Sequence, residues 1–372
     1  MLVILLRMED KVMKIAIYTI ALNEEKHVKD WFESGKDADL LLIADTGSTD
    51  NTVAEAKKLG IEVKEISVNP WRFDTARNAS LALLPKDIDM CIQLDMDETL
   101  SPGWRKEVEK AFAENNFWPT YKQVTSWSPD GEPINFFYYF KIHHRHNFAW
   151  KHPIHEVIEP KDGAFYPRKE IDVRTYHKQD VTKDRTSYLK LLQMAVSESP
   201  NDWRMNHYLC REYSYKADFQ NVIHSAYKAL DIGYGWDQER ASTCIWASQA
   251  AQGLGYLHWA YEWAKKGTQE APEFYEAWHW RAQIAHLMGK WSDCYYSATK
   301  IDSLERQISH LNNLDAWNWW GFDLAALSAH KLGFHQEAVD FGLRAIKGNP
   351  SLERLNSNQT FYEKSLKESL NP

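Results

Sequence analysis

Four short strand-like segments in the first hundred residues constrain this chain more than any other feature. Lys14 to Ile20 and Asp39 to Ala44 are apolar runs that read as strands, Ile61 to Val68 reads as a third strand, and the apolar run Asp89 to Leu94 reads as a buried one. Helical stretches separate them: one reaching about Ser34, one over Thr52 to Leu59 and one over Thr75 to Leu84. Ser48, Thr49 or Asp50 can cap the second of these. Strands alternating with helices of this length predict an α/β fold, a mostly parallel sheet with helices on both faces. The C-terminal strand ends of such a sheet share one edge, where open α/β sheets bind ligands. Three of those ends are polar: Asn23-Glu24, Asp45, and Asp95 with Asp97. Each alone reads as a turn or a helix cap, and together they predict a cleft.

Asp95-Met96-Asp97-Glu98 closes the fourth run. Carboxylates one residue apart can hold a hard divalent cation, and that cation can grip a diphosphate. Surface turns produce the same spacing often, because carboxylate pairs are mostly solvated. Its weight comes from the polar strand ends upstream.

Thr19-Ile20-Ala21-Leu22-Asn23-Glu24-Glu25, Asp45-Thr46-Gly47-Ser48-Thr49-Asp50, Ala76-Arg77-Asn78 and Leu94-Asp95-Met96-Asp97-Glu98 resemble, in order, the signature of family 2 glycosyltransferases of the GT-A fold. The resemblance covers roughly residues 14 to 180. Trp150-Lys151-His152-Pro153-Ile154-His155-Glu156 resembles an element of one subgroup, the sublancin-type peptide S-glycosyltransferases and some lipopolysaccharide core transferases, in which helical repeats follow the transferase. The chain departs from the family at Phe140-Lys141-Ile142-His143-His144-Arg145, where a Pro-Arg-x-Phe-Arg stretch is usual.

The resemblance implies a metal-dependent inverting transferase that moves a sugar from a nucleotide-diphosphate donor, with uracil as the expected base. It implies Mn2+ or Mg2+ held by Asp97, with Asp95 and His155 as further ligands. The nucleotide-sugar pocket then comprises Thr19, Ala21, Asn23, Glu24, Asp45, Arg77 and Asp95, with Lys141 and Arg145 placed to neutralise the diphosphate. Glu156 and Glu98 are the candidates for the base that takes the acceptor proton, Glu156 being favoured, and His177 could also approach the site. The bland readings are a satisfied structural histidine for His155, an ion pair with Asp74 or Asp45 for Arg77, and a salt bridge to Arg145 or Lys151 for Glu156.

Beyond about residue 181 the pattern becomes helical and rich in Trp, Tyr and Ala. Breaks recur at Lys216-Ala217-Asp218-Phe219, Gly253-Leu254-Gly255-Tyr256, Met288-Gly289-Lys290-Trp291 and Leu332-Gly333-Phe334-His335. A spacing of roughly 34 to 44 residues predicts a tetratricopeptide-like array of helix pairs. Ala217, Ala264, Ala298 and Ala338 are the small residues expected at helix crossings. Trp278, Trp280, Trp317, Trp319 and Trp320 read first as packing residues, and second as the lining of a groove for a polymer. The expected divisions are 1–12, an extension; 13–180, the transferase; 181–350, the repeats; and 351–372, a tail.

A net charge of −8 argues against a surface built for nucleic acid or anionic membrane. Residues 141 to 152 are nonetheless basic, so a phage-type transferase acting on DNA bases is the less favoured choice beside a peptide, protein or glycan acceptor. The apolar start, Met1 to Leu6, is too short for a signal peptide or a span. Cys91, Cys210, Cys244 and Cys294 lack paired spacing, so free thiols and a cytoplasmic location are expected. Two other classes remain. A nucleotidyltransferase normally has a glycine-rich basic loop where this chain has Asn23-Glu24-Glu25. A non-catalytic adaptor would normally have lost one of the acidic motifs. The array is also compatible with a homodimer.

Overall fold

The computed structural model describes residues 13–113, 117–128, 130, 132–178, 186–306, 309 and 311–370. The expected extension, residues 1–12, lies outside the described residues. The chain divides into two compact units, Met1–Ser187 and Tyr188–Pro372.

The first unit begins β1 (Ile15–Ala21), α1 (Val28–Gly35), β2 (Leu40–Asp45), α2 (Thr52–Lys58), β3 (Glu62–Glu65), α3 (Phe73–Leu83) and β4 (Met90–Gln93). It continues β5 (Glu98–Leu100), α4 (Trp104–Ala113), β6 (Trp118–Trp127), β7 (Pro133–Tyr139), β8 (Ile142–His144), β9 (Phe148–Lys151), β10 (Val157–Pro160) and β11 (Arg168–His177). The main sheet has the order β3-β2-β1-β4-β8, parallel except for β8.

Side-chain alternation along β1 explains the layers. Ile15 and Ile17 join Ile43 and Ile92 in one core with Trp31 of α1 and Trp104 of α4. Ala16 and Tyr18 join Leu42 and Cys91 in another with Leu81 of α3. The first four strands and three helices thus follow the expected alternation. A second sheet, β5-β11-β6-β7, and the hairpin of β9 and β10 complete the unit. Trp31 is fully buried, and its Nε1 donates to the Leu94 carbonyl at 3.0 Å. That bond fixes the chain one residue before Asp95.

The second unit is α5 (Tyr188–Glu198), α6 (Trp203–Tyr215), α7 (Phe219–Asp231), α8 (Asp237–Gly253), α9 (Leu257–Glu270), α10 (Tyr275–Leu287), α11 (Trp291–Ala298), α12 (Gly321–Lys331), α13 (His335–Gly348) and α14 (Glu353–Leu370). Each helix packs on its neighbour in sequence, and α6, α8, α10 and α12 also touch in turn. That is the packing of stacked helix hairpins. The four sharp turns, at Ala217, Gly255, Gly289 and Gly333, all have left-handed backbone.

Ala264, Ala298 and Ala338 are buried at crossings, as expected. Ala217 is instead an exposed turn residue with φ 52°, and Ala226 and Ala229 supply the small buried positions of that pair. The five named tryptophans are half-buried, with Trp280 Nε1 donating to Ser248 and Trp317 Nε1 to Glu276. A π-helical turn over Ala316–Trp320 leads into α12. Gly321 is required there, because a Cβ would stand 2.1 Å from the Tyr275 hydroxyl. α14 occupies the segment expected as a tail and packs on α13. Among the described residues the four cysteines are free and buried, and no helix is long and apolar enough to cross a membrane.

Trp31→Phe removes the bond to Leu94 and leaves a buried carbonyl unsatisfied. It is expected to lower the stability of the first unit by about 1–3 kcal/mol. Loss of hydrogen-exchange protection in β1 and β4 amides of the full chain measures this.

Candidate active site

Register brings the acidic strand ends together. Ala21 pairs with Asp45 across β1 and β2, while Tyr18 pairs with Gln93 across β1 and β4. Ala21, Asp45 and Asp95 therefore share the C-terminal edge of the sheet.

Asp45 is buried and its Oδ2 accepts from the amides of Gly47 and Ser48, both at 3.0 Å. Its Oδ1 is buried with no hydrogen-bond partner among the described residues. A buried acceptor in that state is costly unless something donates to it. Thr19 is fully buried, and its carbonyl accepts from Ser80 of α3. The Ala21 carbonyl accepts from Thr46. Asn23, with φ 56°, accepts the Thr49 amide at 2.7 Å, and the Glu24 amide donates to Thr52 at 2.7 Å. Asn23 and Glu24 thus knit together the two loops that border the cleft.

Asp95 is the hub of a buried charge network. Its Oδ1 accepts from Arg77 Nη2 and Gln93 Nε2, each at 2.9 Å, and its Oδ2 accepts from Lys141 Nζ at 2.7 Å. Arg77, 7% exposed, also donates from Nε to Glu156 Oε1 at 2.5 Å and lies 5.0 Å from the Trp150 ring centre. Asn78 clamps Trp150 through two backbone bonds, pinning β9 to α3. Lys141, 3% exposed, bonds both oxygens of Glu98, at 3.1 and 3.2 Å. Gln123 Nε2 donates to Glu98 Oε1 at 2.6 Å.

Burial opposes ionisation throughout this network. At Asp95, Arg77 and Lys141 outweigh it and hold the carboxyl well below its ordinary range. Burial would push the Lys141 ammonium down, but Asp95 and Glu98 hold it well above its usual value. At Glu98 burial wins over Lys141, and the carboxyl is pushed up. Beneath the network, Trp150 Nε1 donates to the Tyr18 hydroxyl, which lies 2.9 Å from His143 Nε2. Burial pushes His143 down to about 4, so this histidine is neutral.

Asp97 points elsewhere. Its Oδ2 lies 3.5 Å from His177 Nε2 at the end of β11, which raises the imidazole above its ordinary value despite burial.

Several expectations need correction. The Lys141 ammonium is engaged by Asp95 and Glu98 rather than free for a diphosphate; the carboxylate partners of Arg77 are Asp95 and Glu156, not Asp74 or Asp45, and its Nη1 is buried with no hydrogen-bond partner among the described residues. Arg145 lies at the opposite edge: β8 runs antiparallel to β4, so Arg145 meets Asp89 and donates to the Leu84 carbonyl. Its neighbours His144 and His146 line a separate depression of about 640 Å3 at that edge. Glu98, 1% exposed and bonded through both oxygens, sits behind Lys141 rather than facing an acceptor. Asp95, Asp97 and His155 do not form a cage, since no group of three metal-ligating side chains is gathered among the described residues. His155 lies in the loop beside Glu156 with φ 51°. Gln93 and Gln123 were not singled out by the sequence. Gln93 carried a signal, a polar residue inside an apolar run; Gln123, on a strand of the second sheet, carried none.

Residues 16–164 match the sequence model described as Glycosyl transferase family 2. An uncharacterized glycosyltransferase of Rickettsia conorii is 34% identical over 104 residues, covering 28% of this chain and 36% of the relative. One of Rickettsia bellii is 33% identical over 104 residues, covering 28% and 34%. The chain thus spans about a third of the length of the curated relatives it matches. Among solved structures, YrrB, described as a TPR protein with an unusual peptide-binding site, is 12% identical with a TM-score of 0.36, covering 46% of this chain and 81% of YrrB. A thermophilic TPR protein of Thermus thermophilus is 17% identical with a TM-score of 0.31, covering 48% and 88%. The first unit carries a family 2 glycosyltransferase domain.

The His177 shift fixes the sign of one pH effect. A raised folded-state pKa contributes stability that is full below the unfolded value and is lost as pH rises through the folded one. His177→Gln is therefore expected to cost more stability at pH 6 than at pH 8.5, measured by thermal unfolding at both values.

Proposed function

We propose that this chain is an inverting glycosyltransferase that binds a nucleotide-diphosphate sugar at the C-terminal edge of its main sheet. The observation that carries this reading is the convergence of Asp45, Asp95 and Asp97 there, with His177 3.5 Å from Asp97. Asp45 keeps one buried oxygen without a partner, which suits it to accept hydrogen bonds from the nucleoside. Asp95, locked in aim by Arg77 and Lys141 yet with its side chain 30% exposed, orients the ribose or the sugar.

Asp97 and His177 are the pair that fits a divalent cation, one oxygen and one nitrogen donor side by side. Mn2+ or Mg2+ commonly completes so small a protein set with water and phosphate oxygens. Such a cation would neutralise charge growing on the leaving diphosphate. Glu156 is the base in this reading. Arg77 grips its Oε1, which fixes the direction from which the carboxylate meets an acceptor proton. The acceptor is a polymer, peptide, protein or glycan, held by the helical repeats, where the exposed Tyr256 and Trp259 offer stacking surface.

Thermal shift with UDP, GDP, TDP and CDP, each with and without Mn2+, tests this on wild type, Asp97→Ala and His177→Ala. A ligand that binds only the native state raises the melting temperature by mass action. One nucleotide is expected to give a Mn2+-dependent rise of several degrees, lost in both variants. A folded protein that responds to none would favour an adaptor working through its repeats.

A further inference from the structure

Lys141 stands where the chain crosses between sheets. β4 belongs to the main sheet and β5 to the second, so residues 94–97 make one crossing. β7 belongs to the second sheet and β8 to the main one, so residues 140–141 make another. The crossings run side by side, and the Gln93 amide donates to the Lys141 carbonyl at 3.1 Å.

Across that seam the Lys141 ammonium bonds Asp95 at 2.7 Å and Glu98 at 3.1 and 3.2 Å. An ammonium has three donors, so these contacts leave none over. The Tyr139 ring lies 4.8 Å from the ammonium, and Gln123 holds Glu98 from the side. Glu98 Oε2 also accepts the Asp95 amide at 3.1 Å. Lys141 therefore grips the Asp95 side chain while its partner Glu98 grips the Asp95 backbone.

We propose that Lys141 is a positioning residue for sugar transfer: by bridging Glu98 to Asp95 it fixes the aim of the Asp95 carboxylate, and it does not touch the donor. This rests on the reading of the sheet edge as the donor site. A lysine that neutralised the diphosphate would need a free ammonium in the cleft. This one is buried behind the carboxylates and fully bonded.

The test uses the full chain with Lys141→Met, Lys141→Arg and the double variant Glu98→Gln/Lys141→Met. The double variant removes the carboxylate that Lys141→Met strands, so folding survives where the single change unfolds the unit. UDP and uridine serve as probes, since uridine shares the nucleoside and lacks the diphosphate. Lys141→Met or the double variant is expected to lower kcat at least about tenfold, with Lys141→Arg recovering part of it. UDP and uridine affinities should shift by the same factor. Hydrogen exchange over residues 94–98 should quicken about tenfold while the rest of β4 stays protected.

A large loss for UDP with uridine unchanged would show contact with the diphosphate and overturn the proposal. So would a double variant with restored kcat, which would reduce Lys141 to a counter-ion for Glu98, or unchanged exchange over 94–98. If wild type binds no nucleotide, the donor reading fails by itself. The exchange measurement then still decides whether Lys141 holds the turn.

Discussion

The site depends on one carboxylate held between two buried cations. Asp95 receives Arg77 on one oxygen and Lys141 on the other. Each cation has a second carboxylate, Glu156 for Arg77 and Glu98 for Lys141, so the pattern alternates in sign along its whole length. Three carboxylates against two cations leave the network one negative charge when all are ionised. Buried ion pairs are weak evidence of net stability, because desolvation offsets most of the attraction. What this chain gains is geometry. Side chains from α3, β4, β5, the turn before β8 and the loop before β10 must all be in place for any of them to be satisfied.

That requirement explains the supporting architecture. Trp31 holds the backbone at Leu94, and Asn78 ties β9 to α3. Trp150 covers Arg77 and continues through Tyr18 to a neutral, buried His143. Trp31, Trp150, Tyr18 and His143 are buried. They fix the elements that carry Arg77, Asp95 and Glu156, and an error in any of them would strand a buried charge.

The parts legible in the sequence share a local cause. The strands and helices up to Gln93 follow from apolar periodicity, and the four turns at Ala217, Gly255, Gly289 and Gly333 follow from breaks that interrupt it. The convergence of Asp45 and Asp95 followed from parallel topology alone. What stayed hidden depends on pairing between distant segments. Arg145 looked like a neighbour of Lys141, four residues along, yet three residues of an antiparallel strand carry it to the far edge. Lys141 looked available to a diphosphate, and Arg77 was paired with the wrong acids, because nothing local says that Glu98 and Glu156 will reach them. Gln123 was invisible because its role exists only once the second sheet sets β5 and β6 on either side of β11. Ala217 misled for a smaller reason: alanine suits a crossing, but here the left-handed turn took it.

The charge balance also constrains how a diphosphate can be received. Both buried cations are engaged by carboxylates, and freeing either one would strand a carboxylate at a cost of several kcal/mol. The network therefore cannot lend its positive charge to a leaving group. Asp97 stands outside it, one residue beyond Met96, and faces His177 from the second sheet. An ionised carboxylate beside this imidazole adds no net positive charge, whether the ring is protonated or neutral. In the proposed reaction the positive charge must then arrive with the donor, as a cation bound to the diphosphate. In that reading the separation of Asp95 from Asp97 gives the two carboxylates different work: the first is aimed by the protein's own cations, and the second, beside His177, would meet the cation that the donor brings.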